Sequence, residues 1–564
     1  MWRVAAVAAG AVLCAAASAD AGDMQPPRIT RAAVDWASAA QAVGAVVASR
    51  AREAAMPRVD AAMARLTAAT APLLPGLAQS PIPVLLPFDI DGFMRDPARD
   101  SDQAYYAGFG HPAFFAAGPS GFDASFRFPL AGVPELADIR FAPEAEVAIS
   151  GSSLLYDIDV ADQGAPVPAL EADFPGIRRS YVEDYVRYTF VRYGVPYVVA
   201  TDCFDAAVSR HHQITCRDAD RVIQLFLHRL RIVGGTPKSA TESASPPPVA
   251  PLALARPAAV SPTFTYYAPG RLVAGTGYRG HAGRADDTVY SAIRFPLAAA
   301  PAFANTQFYA NRVAGGVRAF PWRDNFCESR SFYLSQCPGG MGHQGQDISV
   351  IGAAGCSAES LGADRCTGHE SDVVAVRDGA ILRAQGQEAV WLIVNTAREH
   401  IRFRYLHMRP KLLDAAGVVS GRTVKAGEVI GQIGNFSGHE NGTSYHLHFD
   451  IQVPTRAGWI YVNPYVTLVA AYERLIGGHG TELTDDVLAS AAATLDDAAG
   501  GTRFTLASVR HAIIGADRVL PSAEAARWRR CGPRGRHWRG CGMRPVAHAH
   551  GVRRHAWRVR RRHG

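Results

Sequence analysis

The stretch SYHLHFDIQV, residues 444–453, alternates polar and apolar side chains with a period of two. On a β-strand, positions i and i+2 share a face. His446 and His448 therefore project together, while Tyr445, Leu447 and Phe449 face the other way. Two imidazoles aimed at one spot imply that something is held between or above them.

The neighbouring segments read in the same way. DVVAVRDGAILRA (372–384), EAVWLIVNT (388–396), HIRFRYLHM (400–408) and TVKAGEVIGQIG (423–434) are β-branched and aromatic runs cut by turn residues. This pattern predicts an antiparallel all-β domain over residues 326–470. Three further features lie within it. GMGHQGQDISV (340–350) sets His343 and Asp347 four apart, and Gly342 and Gly345 disfavour a helix, so the pair belongs where a loop enters a strand. RYLHM (404–408) is expected to place His407 in mid-strand. GEVIGQIGNFSG (427–438) is a glycine-rich approach to the last strand. Each feature alone has an ordinary structural explanation. Together, in one β domain, they point to a metal. Imidazole nitrogen and carboxylate oxygen suit Zn2+, and two His plus one Asp with an open fourth position describe a catalytic site.

The ordered set His-x3-Asp, Tyr-x-His and His-x-His followed by Phe and an acid resembles the lysostaphin/LytM-type zinc metalloendopeptidases, as does KAGEVIGQIGNFSG…YHLHFDI. The resemblance covers about residues 343–466 and implies a LytM-like β-sandwich. It implies one zinc ion on His343, Asp347 and His448, with His407 and His446 as the acid/base pair on the open side. Which histidine is the general base is left open. The implied activity is hydrolysis of peptide bonds in peptidoglycan cross-links or stem peptides. The alternative is a LytM-type regulator that activates another wall hydrolase without turnover, and the five filled positions argue against it. The chain departs from the family in its Cys356–Cys366 loop, in a loop from Cys327 to Cys337, and in the polar segment NFSGHENGT (435–443).

The rest of the chain sets the context. With 48% hydrophobic and 19% charged residues it reads as globular rather than disordered. MWRVAAVAAGAVLCAAASADA, with its Ala17-Ser18-Ala19 site, reads as a signal peptide over 1–19, so an exported, periplasmic or envelope protein is expected. Eight further cysteines form four sequence-local pairs (203/216, 327/337, 356/366, 531/541), expected as disulfides in an oxidising compartment. Residues 20–78 read as helical, and 79–240 as an α+β domain in which 179–193 and 218–233 fit either helix or strand. Residues 241–262 read as a Pro/Ala-rich linker. RFPLA at 127–131 recurs at 294–298, suggesting that 263–325 is a β module repeating 100–145. A helical extension (471–524) and a basic tail (525–564) follow. The tail holds 13 arginines and no acid, which leaves about 7 − 13 = −6 for the remainder. It is expected to favour anionic envelope polymers or lipid surfaces; nucleic acid is not an expected partner of an exported protein.

Overall fold

The structure is a computed structural model. It describes residues between 24 and 484, except 49–58, 97, 99–103, 106–107, 140–141, 143, 159–163, 184, 204–213, 238–263, 273–282, 307–320 and 351–371. The expected signal peptide, linker and basic tail, and the cysteine pairs 356/366 and 531/541, lie outside the described residues.

The first half contains β1 (Ile29–Arg31), α1 (Trp36–Ala48), α2 (Val59–Thr70), β2 (Val84–Pro87), α3 (Ile90–Arg95), β3 (Phe114–Gly118), β4 (Gly121–Pro129), β5 (Glu144–Ser152) and β6 (Leu154–Tyr156). It continues with β7 (Ala165–Pro166), β8 (Arg178–Val182), β9 (Tyr185–Arg192), β10 (Val195–Asp202), α4 (Cys216–Arg229) and β11 (Leu230–Gly234). Seven strands form an antiparallel sheet in the order β3-β4-β5-β10-β9-β8-β7. The two ambiguous segments resolve differently. Alternation of apolar and polar residues on either side of Glu183 makes 178–192 a strand pair, joined in register from Val182 opposite Tyr185. In 216–229, Val222, Ile223, Phe226 and Leu227 recur at helical spacing and are buried against the sheet core. Thr215 caps that helix by accepting from the Asp218 amide, and the Cys203–Cys216 disulfide ties its start to the end of β10.

The second half contains β12 (Phe264–Tyr267), β13 (Ala302–Ala304), β14 (Gln346–Val350), β15 (Asp372–Val374), β16 (Gly379–Leu382), β17 (Val390–Asn395), β18 (His400–Leu406) and α5 (Pro410–Ala415). It closes with β19 (Thr423–Val424), β20 (Val429–Gln432), β21 (Leu447–Thr455), β22 (Gly458–Val462), α6 (Tyr465–Ile476) and β23 (Gly480–Leu483). The main sheet runs β13-β14-β21-β18-β17-β16-β19, with β22 also paired to β21, and β15 pairs with β20 in a small second sheet. On β21, Leu447, Phe449, Ile451 and Val453 turn into one core with Ile348, Leu392, Phe403 and Tyr405. Burying each such side chain contributes about 1.5–3 kcal/mol. His448, Asp450 and Gln452 turn to the opposite face, and they too are buried.

The first half covers that second face. Trp459 and Thr189 are joined by a backbone-to-hydroxyl hydrogen bond of 2.9 Å, and Arg187 donates to the Trp459 carbonyl. His400 and Asp123 form a buried pair at 3.0 Å, to which Asn395 also donates. Three sequence expectations change in detail. The core containing the second sheet takes in Tyr156 and, from Phe264 on, residues upstream of 326, because β13 completes the edge beside β14 and α6 packs on the same side chains. The RFPLA copies differ in structure: the first ends strand β4, whereas 294–298 forms only an isolated bridge from Leu297 to Val373. Within the expected helical extension (471–524), α6 ends at Ile476 and Gly480–Leu483 form strand β23, parallel to β12; the rest of that range lies outside the described residues.

Candidate active site

β14 and β21 are neighbours, and their register sets Asp347 directly opposite His448. His343 lies three residues before the start of β14, in a segment flanked by Gly342 and Gly345. His446 enters β21 through a bridge to Gly434. His407 is not in mid-strand as expected. It lies one residue past β18 at φ 71°, in the left-handed region that is rare for residues other than glycine and that recurs at functional sites. The glycine-rich segment explains how this conformation is held. A Cβ on Gly434 would stand 2.2 Å from the His407 carbonyl, so only glycine lets this backbone close over the histidine. The Phe436 amide then donates to the His407 carbonyl, and His407 Nδ1 donates to the Phe436 carbonyl at 2.9 Å.

The structure thus gathers all five expected residues, His343, Asp347, His407, His446 and His448, into one cluster in which none is more than 2% exposed. Asp347 Oδ1 is 3.4 Å from His343 Nε2, from His446 Nε2 and from His448 Nδ1. His343 Nε2 and His448 Nδ1 are 2.9 Å apart.

The outer nitrogens settle what faces inward. His343 Nδ1 meets the Asn325 carbonyl at 3.0 Å, and His446 Nδ1 meets the Ser444 carbonyl at 2.7 Å. His448 Nε2 meets Asp450 Oδ2 at 3.2 Å, while His407 Nδ1 meets the Phe436 carbonyl and Glu388 Oε2. Carbonyl and carboxylate oxygens only accept, so each outer nitrogen carries the proton. In the neutral rings, the inward nitrogens of His343, His446 and His448 therefore present lone pairs toward Asp347. Lone pairs converging on a carboxylate repel unless a cation lies among them. This donor set fits zinc, and the protonated outer nitrogens resemble the outer hydrogen bonds that orient metal-binding histidines.

Electrostatics follow the same geometry. Burial opposes the charge on Asp347, but His343 and His446 outweigh it and hold the carboxyl well below its ordinary range. Burial lowers the pKa of His446; for His448 it is outweighed by hydrogen bonds to Asp347 and Asp450, and that pKa rises.

Several neighbours carry no motif in the sequence. Asn325 donates to Asp347 Oδ2 at 2.8 Å and receives the Asp347 amide at 3.0 Å. Glu388 accepts from the Gly438 amide and faces His407. Arg404 pairs with Asp450 at 2.7 Å beneath His448. Glu328 lies with His343 and Asp347 in a second group of metal-binding character. Glu183, from the first half, brings its carboxylate to 3.9 Å from His448 and 4.0 Å from His407. Burial opposes its charge, but His448, His407, His343 and Arg404 hold its carboxyl down at about 2.

Residues 343–464 match the model of peptidase family M23. Among solved structures, the chain is similar to one from Ruminococcus gnavus ATCC 29149 assigned as a glycyl-glycine endopeptidase lytM. The identity is 23% over 25% of this chain and 50% of that one, with a TM-score of 0.17, so the match spans half the length of that protein. No curated protein matches. All five residues of the motif fall within the segment, 343–464, that matches the model of peptidase family M23.

Proposed function

We propose that this chain is an exported zinc metalloendopeptidase that hydrolyses peptide bonds in peptidoglycan cross-links or stem peptides. The observation that carries the reading is the convergence of imidazole lone pairs on Asp347 within 3.4 Å. His343, Asp347 and His448 would hold the ion. Bound there, zinc supplies Lewis acidity and a water that ionises near pH 7.

The remaining steps fall to the chain's own groups. His446 Nε2 faces the carboxylate centre with its Nδ1 proton fixed on Ser444, so it is placed to accept a proton from the attacking water. His407 has its Nδ1 proton fixed by Phe436 and Glu388, so only when the ring is doubly protonated does Nε2 have a proton to pass to the departing amine or to offer the oxyanion. These two roles can exchange between the histidines without altering the reaction class. Peptidoglycan as substrate rests on family kinship and on the signal-like N-terminus. No described helix is long and apolar enough to cross a membrane. The arginine-rich tail would add attraction to anionic envelope polymers or lipid surfaces.

The test is prolonged incubation of purified sacculi with the full chain and with His446→Ala, followed by muropeptide mass spectrometry. Loss of cross-linked or stem-peptide species with the intact chain alone supports the reading and identifies the bond. No release by either, with one zinc per chain in both, would leave two readings, an autoinhibited full-length form or a regulator.

A further inference from the structure

We propose that the junction between the two halves holds a small monovalent anion of the chloride class on Arg187, Arg402, Gln452 and Tyr461. The site is separate from the histidine cluster and does not depend on the zinc reading. Its first support is strand register. Arg402 on β18 stands opposite Gln452 on β21, and Gln452 stands opposite Tyr461 on β22. Directly opposed residues of antiparallel strands share a face, so these three side chains form one row across the sheet. Arg187, on β9 of the first half, closes over the row. Its guanidinium lies 5.0 Å over the Tyr461 ring, and its Nη1 donates to the Trp459 carbonyl at 2.9 Å. Arg187 is 4% exposed, Arg402 1%, and Gln452 and Tyr461 0%.

The second support is an excess of donors. Arg187 Nε, Arg402 Nε and Nη1, Gln452 Nε2 and the Tyr461 hydroxyl are buried with no hydrogen-bond partner among the described residues. The Tyr185 hydroxyl and Trp459 Nε1, in the same junction, are in the same condition. The orphaned acceptors on β21 are Gln452 Oε1 and Asp450 Oδ1. Buried polar groups of native proteins are satisfied as a rule, so a surplus of this kind calls for an acceptor. Aromatic stacking does not supply it. The Arg402 guanidinium lies 4.7 Å over the Trp391 ring and 5.9 Å from that of Trp459, which covers its faces. Its N–H groups radiate in the guanidinium plane, away from those rings.

Charge selects an anion over water. Arginine stays protonated when buried. Asp450 is committed to Arg404, and Asp123 to His400. No carboxylate forms an ion pair with Arg187 or Arg402 among the described residues. Burial holds the Arg187 pKa below its ordinary value; Tyr461 and Tyr185 oppose that effect, and repulsion from Arg402 adds to it. Water would accept these hydrogen bonds and leave both charges uncompensated, whereas chloride answers both needs. The closed walls disfavour a peptide carboxylate, whose chain would need a way out, and two guanidiniums are too few for a buried phosphate. With Arg187 on one half and the other three residues on the other, the ion fastens the halves together.

The experiment follows thermal melting of the full chain as sodium chloride replaces sodium gluconate at constant ionic strength, beside equilibrium dialysis with radiolabelled chloride. The variants are Tyr461→Phe, which removes one hydroxyl and keeps the ring, and Arg402→Met, which removes a charge at similar length. Raising chloride from about 1 mM to about 100 mM should lift the wild-type midpoint by about 3–5 °C, with saturable uptake of one chloride per chain. Tyr461→Phe should need about tenfold more chloride for the same lift, and Arg402→Met should show none. Equal wild-type midpoints in the two salts, without saturable uptake, would overturn the site and leave its donors to water. A chloride response kept in full by Tyr461→Phe and by folded Arg402→Met would place the ion elsewhere and overturn this assignment.

Discussion

Asp347 and His448 stand directly opposite each other on adjacent antiparallel strands, with Oδ1 and Nδ1 3.4 Å apart. Strand register, rather than a flexible loop, therefore fixes the separation of two proposed ligands. A register slip of one residue would turn His448 into the apolar core and replace it with Leu447 or Phe449. The site and the sheet are specified by the same hydrogen bonds.

That arrangement separates the five residues into two experimental classes. His343→Ala, Asp347→Ala and His448→Ala should each reduce bound zinc from one per chain to near zero and abolish hydrolysis. His407→Ala and His446→Ala should keep the metal and lose about 10²–10⁴ in kcat, the usual worth of a positioned acid or base. Elemental analysis beside muropeptide release checks both classes. Zinc loss on replacing His446 would contradict the ligand assignment.

Asn325 touches two of the proposed ligands, holding Asp347 through its side chain and His343 through its carbonyl. Asn325→Ala removes the first contact and leaves the second. Zinc affinity should fall about 10–100-fold, as for other outer-shell partners. Titration with a fluorescent zinc indicator measures it, and unchanged affinity would show that Asn325 serves only the fold.

Gly345 lies under the site. A Cβ there would stand 2.5 Å from the Phe449 carbonyl and 2.7 Å from His448 Nε2. Neither the strand backbone nor a ring packed on Asp450 can yield that distance without moving β21. Gly345→Ala should therefore lower both zinc occupancy and thermal stability, whereas an enzyme with normal zinc content would show that the strand pair is slacker than this geometry implies.

What was legible in the sequence was the chemistry carried by one short neighbourhood. The alternation in HLHFD shows which side chains share a face, and GHQGQD marks a loop entering a strand. The left-handed turn at His407 was not legible, because β18 and the residue that leaves it share one apolar-aromatic texture. Glu183 was beyond reach for a different reason. Glu183 stands at no ligand spacing, and its partners lie 160 to 265 residues downstream, brought near only because the first sheet packs on the face of β18 and β21 that carries Arg404 and His448. That β13, upstream of 326, joins the main sheet was not legible for a related reason: an edge strand is recruited by a sheet's unpaired hydrogen-bonding groups rather than by continuity of sequence.

The junction between the two halves should respond to pH through Asp202. This residue ends β10 and, with Glu146, lines a cavity of about 210 Å³ that also meets Gln385 and Gln387 of the second half. Burial, reinforced by the charge of Glu146, pushes the Asp202 carboxyl up to about 7 against the pull of Arg404, Arg402 and Arg383. In the unfolded chain the same carboxyl titrates near 3.9. Between about pH 4 and pH 7 the folded state therefore binds a proton that the unfolded state has released, and stability falls as pH rises through this window. The penalty is absent below pH 4 and complete above pH 7. With partial exposure allowed for, it amounts to about 2 kcal/mol. Asp202→Asn, always neutral, should match the wild type near pH 4.5 and exceed its thermal midpoint by about 2 °C at pH 8. Parallel melting curves at both pH values decide the matter, because equal midpoints at pH 8 would mean that Asp202 ionises at no cost in the fold.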